Sequence, residues 1–154
     1  MKNTSIHIRK AKASDMDAVF NLIKELAVYE KAANQVTNSV ENLIEDGFGT
    51  NPVFNCIVAE VDQKVIGFAL YYSSYSTWTG RCLYLEDFLV TETWRRKGVG
   101  KLLFDQVYQI AKETKAKRFE WQVLDWNEPA INFYKKYQAN LDETWVNCRL
   151  MLAP

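Results

Sequence analysis

The chain contains a single histidine, His7, and three cysteines, Cys56, Cys82 and Cys148, in 154 residues. One histidine cannot build a histidine-based zinc site, and the absence of any CxxC pair removes the thiolate version. An odd number of cysteines, all in strand-like runs, argues against a disulfide framework and for small reduced core residues. No apolar stretch approaches the ~20 residues of a membrane span, and the N-terminal region lacks a signal-peptide apolar core, so the cytoplasm is the expected compartment. Charge of one sign is missing too: 19 Lys and Arg balance 19 Asp and Glu. A nucleic-acid binder working by bulk electrostatics is therefore disfavoured. Repeats, low-complexity tracts and linkers are absent, and this length makes one domain with a normal core.

Against that background one stretch stands out, Arg95-Arg96-Lys97-Gly98-Val99-Gly100. It follows the apolar run Leu83–Val90 and precedes a helical pattern carrying Val99, Leu102, Leu103, Val107, Ile110 and Ala111 on one face. Strand, basic glycine-bearing turn and helix N-terminus together make an anion cradle: outward N–H groups, roughly half a positive charge from the helix dipole, and glycines that let a phosphate close to the backbone. With Lys101 added, the cations suit a ligand bearing several phosphates. A P-loop is excluded because Leu102 follows Lys101, and a dinucleotide fingerprint because Leu103 occupies its third small position. The competing reading is a solvated cationic turn that merely starts a helix.

Periodicity predicts a strand around Ile6 and Ile8, then a helix capped by Ser14 and ending near Tyr29-Glu30. A second helix is expected over Thr37–Asp46, stopped at Gly47. Three successive strands follow, Phe54–Val61, Val65–Tyr75 and Cys82–Val90, the first pair joined by a tight hairpin at Asp62-Gln63-Lys64. After the cradle come a helix to about Lys115, a strand over Lys117–Val123, a helix over Glu128–Tyr137 with Pro129 in its first turn, and a last strand over Thr144–Leu152. The order β-α-α-β-β-β-α-β-α-β means a mixed α/β fold, a sheet flanked by helices.

That order, with Arg95-x-x-Gly98-x-Gly100 after the fourth strand, resembles the GNAT superfamily of acyl-CoA-dependent N-acyltransferases across essentially the whole chain. Glu45-Asp46-Gly47-Phe48-Gly49, Tyr84-Leu85-Glu86-Asp87-Phe88 and Trp126–Tyr134 are similar to the diamine (spermidine/spermine) and thialysine acetyltransferases within it. The resemblance implies a single GNAT domain over residues 1–154, with a mostly antiparallel sheet of six to seven strands and about four helices. It also implies a cytoplasmic homodimer and acetyl transfer from acetyl-CoA to a small cationic amine.

Such a reaction needs a group to take the proton of an amine of pKa ~10 and an acid for the departing thiolate. Glu86, in an otherwise apolar strand beside Asp87, is the candidate base: a carboxylate half-buried near another has a raised pKa. A salt bridge to a helix lysine is its alternative. Tyr134 is the candidate acid, with plain core packing as its alternative. The pyrophosphate is expected on the amides of Arg96, Lys97, Gly98, Val99, Gly100 and Lys101, with Arg95, Arg96 or Lys101 on the adenosine phosphate. By resemblance the pantetheine arm lies along Phe88-Leu89-Val90 as a pseudo-strand, with Asn127 near its far end, and Asn127 also reads as a helix N-cap. By resemblance, too, Tyr29, Glu30, Glu86, Trp121, Gln122 and Glu143 line the acceptor pocket.

Two departures bear on the acceptor. Where the diamine enzymes tend to carry an acid before Trp78, this chain has Tyr75-Ser76-Thr77, and Arg96-Lys97 replace a glycine and an aromatic. One acid fewer opens the way to a shorter amine. The remaining alternatives are a protein lysine or N-terminus as acceptor, which needs an open groove, and a non-catalytic acyl-CoA-binding module.

Overall fold

The computed structural model describes residues 4–152, in two compact units that divide after Gln122. The first holds one sheet in the order β1 (His7–Lys10), β2 (Asn55–Val61), β3 (Lys64–Ser76), β4 (Gly80–Val90), β5 (Arg118–Glu120). The first four pair antiparallel and β4–β5 is parallel. It also holds α1 (Met16–Tyr29), α2 (Val40–Phe48) and α3 (Val99–Glu113); the second unit holds α4 (Glu128–Lys135). Asp62 and Gln63, both at positive φ, make the two-residue β2–β3 turn whose twist matches the strands.

Met16, Val19 and Leu22 of α1 and Leu43 of α2 pack on Cys56, Val58, Phe68, Leu70 and Leu89 of the sheet. Neighbouring strand residues point to opposite faces. Phe68 thus faces α1, while a Cβ at Gly67 would stand 3.1 Å from Leu103 of α3. The sheet is therefore covered by α1 and α2 on one face and α3 on the other.

Several expected boundaries move. Ser14 does not cap α1. The helix begins at Met16 after a 3-10 turn, and Asp15 makes the turn, accepting the Lys12 N–H at 2.7 Å and two Arg9 N–H groups at 2.8 and 3.0 Å. Ser39, not Thr37, opens α2, its Oγ accepting the Asn42 N–H at 3.1 Å. The sheet has five strands, fewer than six to seven. Thr144–Leu152 makes no ladder among the described residues, and its apolar side chains, from Trp145 at 75% to Leu150 at 89%, are exposed. Its sequence has the composition of a strand, but a strand exists only when a neighbour takes its hydrogen bonds. Cys148, expected in the core, is exposed for the same reason, whereas Cys56 and Cys82 are buried.

α3 starts from Gly98 at φ +82°, ψ −2°, with nothing within 4 Å of where a Cβ would be. The cost of a side chain there is backbone strain alone. Gly98→Ala should lower stability by about 1 kcal/mol in urea denaturation; an unchanged midpoint would mean that the loop takes another path.

Candidate active site

β4 carries one residue more than β3 at its centre. Leu70 is opposite Asp87 and Tyr71 is opposite Leu85, so Glu86 is an extra, bulged residue. Leu85 and Asp87 would share a face in a regular strand; here they point to opposite faces, Asp87 falling on that of Leu70, under α1. Glu86 remains exposed and accepts a hydrogen bond from the Tyr72 hydroxyl at 3.2 Å. Burial, then the charge of Glu86, push the Tyr72 phenol up to about 12, so it stays a donor.

Asp87 lines a cavity of about 160 Å³ with Glu30, Gln35 and the apolar side chains of Ile23, Leu26, Ala27, Ala32 and Val36. Burial first, then Glu86 and Glu30, push its carboxyl up to about 7. Burial also raises Glu30, which caps the C-terminal end of α1. Two carboxyls share an apolar pocket with no cation paired to Asp87 among the described residues, so burial favours their protonated forms, and a cation entering the pocket would favour the charged ones. Asp87 figured in the sequence only as a neighbour of Glu86, yet it shares with Glu30 a carboxyl pKa raised by burial.

Beyond the strand comes the expected turn from β4 into the N-terminus of α3. Pairing of β4 with β5 stops after Tyr84 and Glu120, so the β5-side edge of Leu85–Val90 has no strand partner among the described residues. Phe88, Leu89 and Val90 lie on that open edge, and Phe88 packs on Phe104 of α3 at 6.0 Å. The first bond into α3 is Leu102 N–H to the Gly98 carbonyl, 3.1 Å, so the amides of Val99, Gly100 and Lys101 point out of the helix end. A Cβ at Gly100 would meet Phe88 and Val90 at 3.7 and 3.9 Å, ordinary contact, so the protein itself has room for alanine there. An open strand edge running into a glycine-lined helix N-terminus fits an amide-bearing arm ending in a pyrophosphate.

The cations of the cradle differ in what they already hold. Arg95 is bonded to Glu25 and to the Val90 carbonyl, Lys97 lies over Trp94, and Lys101 pairs with Asp105. Arg96, exposed at φ 59°, has no ion pair among the described residues.

The expected acceptor residues do not all converge. Glu30 does meet Asp87. Tyr29 sits under Arg95, whose guanidinium is 5.3 Å from the ring centroid. Trp121 turns to the α3 side, packed edge-on to Phe104 at 5.1 Å and against Phe119. Gln122 and Glu143 are exposed, and Trp78 stands 86% exposed on the β3–β4 turn, closing nothing. Within the second unit Asn127 does cap α4, its Oδ1 accepting the Ala130 N–H at 3.4 Å. Tyr134 is 7% exposed and edge-on to Phe133.

Comparison with known proteins bears directly on this geometry. Residues 17–139 match the model of the acetyltransferase (GNAT) family. A thialysine N-epsilon-acetyltransferase of Mus musculus is 43% identical over 94% of this chain and 92% of its own. A human spermidine/spermine N(1)-acetyltransferase-like protein 1 is 39% identical over 94% of this chain, which spans 23% of that longer protein. An aminoglycoside N-acetyltransferase in complex with coenzyme A has the same fold, with a TM-score of 0.77, 16% identity and 98% coverage of both chains. The chain belongs to the GNAT acetyltransferase family, enzymes that move an acetyl group from acetyl-CoA to an amine.

Proposed function

We propose that this enzyme acetylates a primary amine of a small cationic substrate, a thialysine-like or short diamine, and that the cavity shared by Asp87 and Glu30 receives the substrate's ammonium. That cavity carries the reading. Its apolar wall suits an alkyl chain, its two carboxyls suit an ammonium, and its volume of about 160 Å³ suits a short substrate. The thialysine and spermidine/spermine names of the relatives support a cationic amine. A protein lysine or N-terminus as acceptor is the second reading, favoured by Trp78, whose 86% exposure leaves it open to a larger partner.

Acetyl-CoA supplies the activated acetyl thioester. Phe88, Leu89 and Val90 would hold the arm, the amides of Arg96, Lys97, Gly98, Val99, Gly100 and Lys101 the pyrophosphate, Arg96 the adenosine phosphate, and Asn127 the far end. Glu86 takes the amine's proton directly or through a water, freeing the nitrogen lone pair for the carbonyl carbon. Tyr134 would be the acid that gives its phenol proton to the departing thiolate. The family match runs from residue 17 to 139, past the division after Gln122, and supports one catalytic domain. The free thiols Cys56, Cys82 and Cys148 suit the reducing cytoplasm. The exposed apolar run from Trp145 to Leu152 supports a homodimer in which a second copy covers it.

The test is thiol release from acetyl-CoA against spermidine, spermine, putrescine, thialysine, lysine and a lysine peptide. Turnover with a short amine is expected, abolished by Glu86→Gln and slowed in kcat by Tyr134→Phe with acetyl-CoA affinity kept. Turnover with the peptide alone would move the assignment to a protein acceptor.

Asp87 makes a second prediction. Its folded carboxyl titrates near 7 against ~3.9 unfolded. Between those values the folded state holds a proton that the unfolded chain releases, so stability falls as pH rises through this window. Asp87→Asn should therefore raise the melting temperature at pH 8, by an increment that vanishes toward pH 4. At pH 8 it should also raise the amine KM about tenfold or more, the loss of a charged hydrogen bond. A lower melting temperature at pH 8 would mean that Asp87 has a stabilising partner.

A further inference from the structure

Glu25 is the group through which α1 holds the loop that begins the cradle. It lies one helical turn before Tyr29, and its carboxylate accepts three hydrogen bonds from a segment 66 to 70 residues away. Oε2 takes the Thr91 hydroxyl at 2.9 Å, and Oε1 takes the Glu92 N–H at 2.9 Å and an Arg95 guanidinium N–H at 3.2 Å. The same guanidinium donates through Nε to the Val90 carbonyl at 2.9 Å and lies over Tyr29. Thr91 is also pinned by its N–H to the Ile66 carbonyl at 2.9 Å. The turn between the open edge of β4 and the amides of α3 is thus fixed at both ends, and every fixing group is inside the protein.

Tertiary packing of α1 does not need a carboxylate here: the helix already buries Met16, Val19 and Leu22 on the sheet. What Glu25 adds is direction. Charge-assisted bonds to a backbone amide and to one N–H of a guanidinium whose Nε is held by the Val90 carbonyl set angles as well as distances. They orient the chain at Arg95, from which Arg96 and Gly98, both at positive φ, turn into the helix.

We propose that Glu25 is a positioning residue for acetyl-CoA and that Arg95 is its strut, holding the cradle in shape, so that the phosphates are met by the amides and by Arg96. This rests on residues 95–101 being the phosphate cradle. Glu25 touches neither substrate, and it acts through Thr91, Glu92 and Arg95.

Binding of coenzyme A to the intact protein, followed by titration calorimetry at low and high salt, tests it. Glu25→Gln and Arg95→Gln should each weaken binding about tenfold, and the double variant should be no weaker than the worse single one. Thr91→Val, which loses one donor to Glu25, should weaken it two- to threefold. Salt dependence should stay that of the wild type in all of them, because no phosphate contact is lost, whereas Arg96→Gln should flatten it. At saturating acetyl-CoA, kcat of Glu25→Gln should stay within about twofold of wild type. Unchanged coenzyme A affinity in Glu25→Gln, or a flattened salt dependence in Arg95→Gln, overturns the proposal. A purely structural Glu25 would lower the melting temperature and the active fraction without moving the dissociation constant. Gly100→Ala separates the two layers of the argument. If it binds coenzyme A as wild type does, the cradle is misassigned; if it binds weakly while Glu25→Gln does not, the strut alone is wrong.

Discussion

Because β3 runs regularly past Leu70 and Tyr71 while β4 fits Leu85, Glu86 and Asp87 against them, two adjacent carboxyls sit where a regular strand would hold one per face. The bulge switches Asp87 into the cavity under α1 while keeping Leu85 and Phe88 available for packing elsewhere. A few residues earlier β4 separates from β5, and the edge it leaves open ends at the α3 amides. The cavity under α1 and the open edge of β4 are thereby neighbours on one strand, set there by a single inserted residue and a three-residue parallel pairing.

The charges sort into those the fold satisfies and those it leaves for a ligand. Asp15 has little exposed surface, but Arg9 donates to it twice, and the guanidinium holds its carboxyl below the usual range. Arg9 also binds Glu60, so that cluster is closed. Asp87 has Glu86 and Glu30 for neighbours, and its carboxyl rises. Burial without a partner costs stability, and a bound cation would relieve it. The cradle repeats the contrast with opposite sign: Arg95 and Lys101 are engaged by Glu25 and Asp105, and Arg96 is left.

Much of this was legible in the sequence. The order of the first five strands and four helices follows from periodicity, and Gly98 marks the entry to α3 because a left-handed residue there favours glycine. The bulge had a signal that periodicity alone did not catch. Large apolar residues occupy odd positions at Leu83 and Leu85 and even ones at Phe88 and Val90, and the switch falls at Glu86-Asp87. Ser39 rather than Thr37 opens α2 because cap choice depends on which side chain reaches the N–H three residues on. Trp121 packs with Phe119 against Phe104 on the α3 face, a contact between elements that the sequence does not mark. Glu25 carries no local mark at all: its partners lie some 70 residues away, and only the fold brings them to it.

The pH dependence of kcat/KM for the amine, set beside that of kcat at saturating amine, is the measurement on which the account stands. kcat/KM reports the free enzyme, in which the Asp87 carboxyl titrates near 7, while a bound ammonium draws it to the carboxylate. The amine itself is cationic throughout pH 5 to 8, with a pKa of ~10, and adds no limb there. The account predicts that kcat/KM rises with pH up to a break near 7, that kcat lacks this break, and that Asp87→Asn loses it. A break near 7 that persists in Asp87→Asn, or a wild-type profile without one, would contradict an acceptor site built on Asp87.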